Sequence, residues 1–182
     1  GYLLVASPKI KDSIFEKSIV LILEHSHKGA YGIIIDKYLK SATIEKIWEE
    51  STGYKQKSNQ LINIGGPIDG PIISIHTNKK LGEEYITNKV YFTVTKKTIN
   101  EIIKKEKTLK VFAGYCRWAN GQIEQEVESG SWFIFESKLE TSSNSFKFNF
   151  NNVCKCRRND YKITKKRCRW IFSNAEKRKK HY

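Results

Sequence analysis

The sequence predicts an α+β fold dominated by short strands, organised as a single domain with a basic C-terminal tail. Three observations lead there. Eight short apolar segments, several rich in β-branched residues, are separated by Gly, Pro and Asn; two or three stretches between them place apolar residues at helical spacing; and the composition changes sharply after Glu136. The chain has 182 residues, 39% of them hydrophobic and 12% aromatic. That is enough for one sizeable core and too little for a large multidomain enzyme.

The expected strands cover residues 2–6, 18–24, 31–36, 61–65, 72–76, 89–95, 109–115 and 132–136. A hydroxyl at Thr43 followed by Ile44, Ile47 and Trp48 predicts an amphipathic helix over 43–50, and Ile99, Ile102 and Ile103 predict another over 95–106. A third helix is expected between Asn120, read as its cap, and Gly130, with Ile123 and Val127 on its inner face. Residues 28–32 read as a hairpin-like connection. The run Gly65-Gly66-Pro67-Ile68-Asp69-Gly70-Pro71 reads as a rigid, irregular loop: it is too rich in Pro to cradle a phosphate, is not followed by Lys-Ser/Thr and opens no helix.

The net charge of +14 is concentrated in one place. Residues 138–182 carry 14 Lys/Arg against 3 Asp/Glu, whereas residues 1–137 carry 19 against 16. The expected division is therefore a domain over 1–137 and a basic tail over 138–182. In the tail, Lys165, Lys166, Arg167 and Arg169 interleave with Tyr161, Trp170 and Phe172, a pattern able to hold phosphates and stack bases; its bland counterpart is a solvated segment that attracts any polyanion. No apolar run approaches the ~20 residues of a membrane-spanning helix. The start lacks a basic n-region and a long apolar h-region, so no secretory signal is expected. The absence of Met suggests that leading residues are missing from the segment. Four cysteines in this context favour reduced thiols and a cytoplasmic location, with no membrane partner.

Several constellations bear chemistry. Glu24, His25 and His27 end one apolar strand and His76 ends another, and histidine with a reference pKa of about 6.5 can act as acid, base or ligand or simply satisfy local backbone groups. Cys116 directly precedes Arg117, whose cation would favour a thiolate; the alternative is an inert buried thiol. Asp36, Gln122 and Glu124 are further polar groups around which a pocket would form. The spacing of Cys154, Cys156, Cys168 and His181 does not fit common zinc sites, and there is no His-Glu-x-x-His or Gly-x-Ser-x-Gly, so no metal, no cofactor and no catalytic residue is assigned.

The order of segments resembles the AlgH/YqgE-like bacterial family. The resemblance runs through Gly1-Tyr2-Leu3-Leu4-Val5-Ala6-Ser7-Pro8, Asp12, Phe15, Ser18 to His25, Gly29 to Asp36, Gly65-Gly66-Pro67-Ile68 and His76. It closes on Gly114-Tyr115-Cys116-Arg117-Trp118-Ala119-Asn120-Gly121-Gln122-Ile123-Glu124-Gln125-Glu126 and Trp132. It implies a bent, bifurcated mixed β-sheet, partly barrel-like, flanked by helices. It also implies a regulatory or binding protein, since the family carries a transcriptional-regulator label without a recognisable DNA-binding element. Carried onto this chain, it singles out Gly66, Pro67, His76, Gly114, Trp118, Gly121, Gln122 and Glu124, which frame a pocket or fix sharp turns; Tyr115, in the same closing motif, is counted among the candidate pocket residues. Two departures stand out. Asp36-Lys37 replaces an Asn-Arg-Pro and is expected to loosen a loop, and Arg117 replaces a small residue, so that the backbone shifts or the side chain reaches solvent.

The expected function is thus a non-enzymatic regulatory or binding protein with a protein or small-molecule partner. Two alternatives are nonspecific nucleic-acid binding through the tail, and an enzyme or small-molecule binder with a pocket near His25, His76, Cys116 and Gln122. The oligomeric state is left open.

Overall fold

A computed structural model describes residues 2–11, 13–55, 61–87, 90–105, 109–136, 139–142 and 145–148. In chain order the elements are β1 (Tyr2–Ala6), β2 (Ile19–Ser26), β3 (Gly29–Ile34), β4 (Tyr38–Thr43), α1 (Ile44–Thr52), β5 (Leu61–Ile64), β6 (Ile73–His76) and β7 (Glu84–Thr87). They continue with β8 (Val90–Thr93), α2 (Lys96–Lys105), β9 (Leu109–Ala113), β10 (Cys116–Trp118), α3 (Gln122–Glu128), β11 (Trp132–Glu136), β12 (Leu139–Ser142) and β13 (Ser145–Phe148).

The unbroken apolar runs are strands buried on both faces, because side chains alternate across a sheet and both sides are covered. β1 sends Leu3 and Val5 to one core and Leu4 and Ala6 to another, and β2 divides Ile19 and Leu21 from Val20 and Ile22 in the same way. The antiparallel sheet they form has the order β10-β3-β2-β1-β11. A second, mixed sheet runs β4-β5-β9-β6-β8-β7, with β5 and β9 parallel. Ile73, Ile75, Ile86, Val90 and Phe112 of this sheet share one core with Leu3, Val5, Leu21 and Ile33 of the first, so the two sheets pack face to face. β12 and β13 form a separate hairpin.

Helices close both outer faces. On the six-stranded sheet, Ile44 and Trp48 of α1 and Ile99 and Ile102 of α2 bury against Ile62 and Val111. The Thr43 side chain caps α1 by accepting from the Lys46 N–H, and Glu83 accepts from the N–H groups of Val94 and Thr95 just ahead of α2. On the five-stranded sheet, Ile123 and Val127 of α3, with Ile10, Ile14 and Phe15 of the loop between β1 and β2, cover Leu4, Val20 and Ile34. The result is four layers: α3 and a loop, a sheet, a second sheet, and two helices.

The sheets join where β3 meets β5. The Ile34 N–H donates to the Gly65 carbonyl at 2.7 Å, while the Gly65 N–H donates to the Ala113 carbonyl at 2.7 Å. One further step along, Tyr115 and Ile68 exchange two backbone hydrogen bonds. The backbones of 65–66 and 114–116 touch here: a Cβ on Gly66 would stand 2.2 Å from the Tyr115 carbonyl carbon and oxygen, and one on Gly65 would stand 2.1 Å from the Gly114 oxygen. Gly114 itself turns with φ 75°. This is the bent, bifurcated mixed sheet that the resemblance implies.

All eight expected strands and all three helices are present. The strands not foreseen in the domain, β4, β7 and β10, are each at a sheet edge, where a strand needs little apolar alternation and leaves a weak signal. α3 also differs at its start. Gly121, φ 74°, occupies the cap position without a side-chain hydrogen bond, in place of Asn120.

The contact geometry separates two kinds of glycine. Gly66→Ala is expected to cost about 3 kcal/mol or more, because two backbones must part. Gly121→Ala has nothing within 4 Å of its Cβ and loses only the ease of the left-handed conformation, about 1 kcal/mol. Urea denaturation midpoints of the two variants check this ordering.

Candidate functional site

The register places Trp118 and Trp132 at diagonally opposite corners of the five-stranded sheet, since Trp118 pairs with Ala30 and Trp132 with Ala6. Yet their rings meet edge to face with centroids 6.3 Å apart. The sheet must coil along that diagonal to bring them together, which makes it partly barrel-like. Phe15 closes the cluster, edge-on to Trp132 at 5.6 Å and tilted against Trp118 at 6.3 Å.

α3 supplies the polar side. Gln122 and Glu126, four apart on one helix face, point toward the rings while Ile123 faces the core. Glu126 Oε2 accepts from Trp118 Nε1 at 3.0 Å and from Trp132 Nε1 at 2.7 Å, and its Oε1 accepts from Gln122 Nε2 at 2.8 Å. Gln122 Oε1 in turn accepts from the Ala119 N–H at 2.9 Å. One carboxylate thus holds both indoles and the first turn of α3.

A cavity of about 360 Å³ opens against this network, walled by Ile10, Phe15, Pro67, Trp118 and Trp132, with Gln122, Glu126 and Arg117 also lining it. The loop that carries Ile10 and Phe15 is pinned from both sides. Lys9 Nζ donates to the Ser129 carbonyl at 2.6 Å, a cation at the C-terminal end of α3, and Lys37 Nζ donates to the carbonyls of Ile14 and Glu16. Lys37 thus ties the β1–β2 loop to the segment that follows β3.

Of the residues foreseen for a pocket, Pro67, Trp118 and Gln122 line this cavity. His25 lies beside it on the same layer, its Nε2 2.9 Å from Glu124 Oε1, joining the end of β2 to α3. Glu24 is exposed at the bulge of β2. Asp36 accepts from the Ile19 N–H at 3.0 Å and faces Lys110, whose pKa burial pushes down while the Asp36 charge opposes the fall. Gly66 and Tyr115 belong to the crossing of the two sheets, and Gly121 to the start of α3.

The grouping of His25, His76, Cys116 and Gln122 is not assembled. His76 is fully buried and stacked on Tyr91 in the six-stranded sheet. It alternates with Ile73 and Ile75, which face the other sheet, so it points away from it. Cys116 is buried in the core under α3, its thiol donating to the Gly65 carbonyl at 3.3 Å, and burial pushes its pKa up to about 12. Burial thus favours the protonated thiol over the thiolate that was one of the readings. Arg117, on the opposite strand face from Cys116 and Trp118, is exposed, with its guanidinium 5.5 Å from the centroid of the Tyr31 ring.

Among the described residues no three His, Cys, Asp or Glu side chains converge in a way that would hold a metal, and no helix is long and apolar enough to cross a membrane. The tail residues Lys165, Lys166, Arg167, Arg169 and Trp170, like Cys154, Cys156, Cys168 and His181, lie outside the described residues. Sequence reasoning missed Glu126, Phe15 and Trp132 and, on the rest of the wall, Ile10, Ile68, Arg117 and Ser131. For Glu126 the signal was its spacing of four from Gln122 beside two tryptophans.

Glu126→Ala leaves two indole N–H groups without their acceptor and is expected to cost about 2–3 kcal/mol, whereas Glu124→Ala removes a partly exposed pair worth less than about 1 kcal/mol. Equilibrium unfolding followed by tryptophan fluorescence compares them. In the native chain Cys116 is expected to resist alkylation at pH 8 and to react once denaturant is added, as peptide mapping by mass spectrometry would show. The folded thiol keeps its proton above pH 9, where the unfolded one gives it up. Its contribution to stability therefore declines as the pH rises from about 9 toward 12.

The comparisons with known proteins agree with this architecture. The solution structure of the AlgH protein from Pseudomonas aeruginosa superimposes with a TM-score of 0.68 over 87% of this chain and 88% of that one, at 17% identity. A crystal structure of a Corynebacterium diphtheriae protein gives 0.65 over 89% and 87%, at 24% identity. In sequence, a UPF0301 protein of Buchnera aphidicola is 31% identical across 80% of this chain and 82% of its own length, and YqgE of Salmonella paratyphi A is 29% identical across 76% and 80%. The AlgH-like family model, DUF179, matches residues 3–152, from β1 through the β12–β13 hairpin. By that match the chain belongs to the AlgH-like family.

Proposed function

We propose that the protein is a non-enzymatic binding protein of regulatory type, acting in the cytoplasm, and that its ligand enters the cavity between α3 and the loop 8–17. The observation that carries this reading is the Glu126 network. A carboxylate, two indoles and a glutamine are locked together before any ligand arrives, on strands and a helix rather than on free loops, and such preorganisation lowers the entropic cost of binding. The enzyme alternative loses support because its nucleophile candidate, Cys116, is buried and protonated, and because His76 points into another layer.

Ser131 lines the cavity; its backbone N–H donates to the Glu126 main-chain carbonyl, but its side chain is not one of the donors to the Glu126 carboxylate. A thermal-shift screen of metabolites and short peptides is expected to give ligands that raise Tm, and Ser131→Phe, which fills the space, is expected to abolish that rise while the variant still unfolds cooperatively. A ligand-induced rise of equal size in Ser131→Phe places binding elsewhere and overturns the reading.

The charge concentrated in residues 138–182 favours a second, separate activity, nonspecific attraction of nucleic acid by the tail. Fluorescence-anisotropy titration of generic DNA and RNA at several salt concentrations tests it. Replacing Lys165, Lys166, Arg167 and Arg169 together by Gln is expected to reduce the slope of log affinity against log salt by up to about four, one per lost phosphate contact. An unchanged slope would exclude the tail.

A further inference from the structure

We infer that the cavity recognises a primary alkylammonium group, with Glu126 as its anionic acceptor; this rests on reading the cavity as a binding site. All three donors to the Glu126 carboxylate are neutral: two indole N–H groups and an amide. Among the described residues no Lys, Arg or His nitrogen pairs with it. Neutral donors orient a carboxylate without cancelling its charge, and a carboxylate offers about four acceptor positions, of which three are filled here. The remaining position on Oε1 calls for an N–H that also brings positive charge.

The rest of the cavity fits the same ligand. Phe15, Trp118 and Trp132 present aromatic surface beside the carboxylate, and aromatic faces attract cations as well as apolar carbon. An alkylammonium group has both parts: methylenes for Ile10, Phe15 and Pro67, and a compact cationic donor for Glu126. Arg117 also lines the cavity, but its guanidinium lies over the Tyr31 ring and makes no ion pair with Glu126. A quaternary ammonium would use the rings but has no N–H for Oε1, and a neutral alcohol has the donor without the charge. The recognised species is thus a primary amine in its protonated form, carried by a free amine or by a lysine side chain of a partner.

Heteronuclear NMR of the full chain, following the indole Nε1–H signals of Trp118 and Trp132, tests this with n-butylamine, n-butanol and tetramethylammonium at pH 7. Butylammonium is expected to shift both signals and to bind at least tenfold more tightly than either comparison probe. Glu126→Gln, which keeps an acceptor for the indoles, is expected to weaken butylammonium at least tenfold and to leave butanol unchanged. Butanol binding as tightly as butylammonium in the wild-type chain overturns the ammonium assignment and leaves the cavity reading standing. The same holds if tetramethylammonium matches butylammonium. Silence of all three probes also overturns the assignment, and the Ser131→Phe screen then decides the cavity reading separately. Spermidine and an N-acetylated, C-amidated Gly-Lys-Gly peptide distinguish the two sources: a shift of the two indole signals by the first points to a free amine, and by the second to a lysine of a protein partner.

Discussion

The contact on which the rest of the structure depends is the backbone crossing of Gly65-Gly66 with Gly114-Tyr115. Two chain segments lie so close that no Cβ fits between them, with separations of 2.1–2.2 Å for a virtual side chain at Gly65 or Gly66. Close approach of this kind is available only to glycine, and it lets hydrogen bonds run directly from one sheet to the other through Ile34, Gly65 and Ala113. The left-handed turn at Gly114 then redirects the chain. β9 ends in the six-stranded sheet at Ala113, and three residues later β10 is the edge of the five-stranded sheet. Without that crossing Trp118 would not reach the corner of the sheet it occupies.

From the crossing, the site follows by packing. Trp118 comes from one corner and Trp132 from the diagonal one, and both carry an indole N–H that cannot be buried without an acceptor. Glu126 serves both from a single oxygen. α3 has seven residues, far short of the length at which a helix holds itself in water. It is held instead by Ile123 in the core, by Gln122 and Glu126 on the face turned to the rings, and by Lys9 at its last turn. Helix, sheet curvature and tryptophan pair are therefore one cooperative unit, in which each hydrogen bond orients the group that makes the next.

The central strands were legible because burial on both faces writes an unbroken apolar run, as in Ile19-Val20-Leu21-Ile22. Edge strands such as β7 and β10 carry no such run, and their pairing is decided by partners distant in sequence. The site was half legible for a related reason. Trp118 and Gln122 stand in one short motif, but the role of Glu126 depends on Trp132, which arrives from the far side of the sheet. His76 was grouped with His25 because both end strands, and a strand end says nothing about which of two stacked sheets holds it. Strand parity did contain one unused clue. Arg117 sits between Cys116 and Trp118, so it must face the other way, and it does, against Tyr31.

The two sheets have different tasks. The six-stranded sheet buries its own polar side chains, Ser74, His76 and Thr93, on the side facing α1 and α2, and contributes to the cavity only through the segment that follows β5, at Pro67 and Ile68. Everything else in the site stands on the five-stranded sheet or on the loop and helix that cover it. The 65–68 segment is thus where the scaffold meets the binding surface. Its position is fixed by the Ile68–Tyr115 bridge on one side and the Gly65 hydrogen bonds on the other, and the cavity wall at Pro67 inherits the rigidity of both sheets. Under the proposed reading, a wall so held suits a small group presented end-on, its selectivity decided by what reaches the Glu126 carboxylate beside the rings.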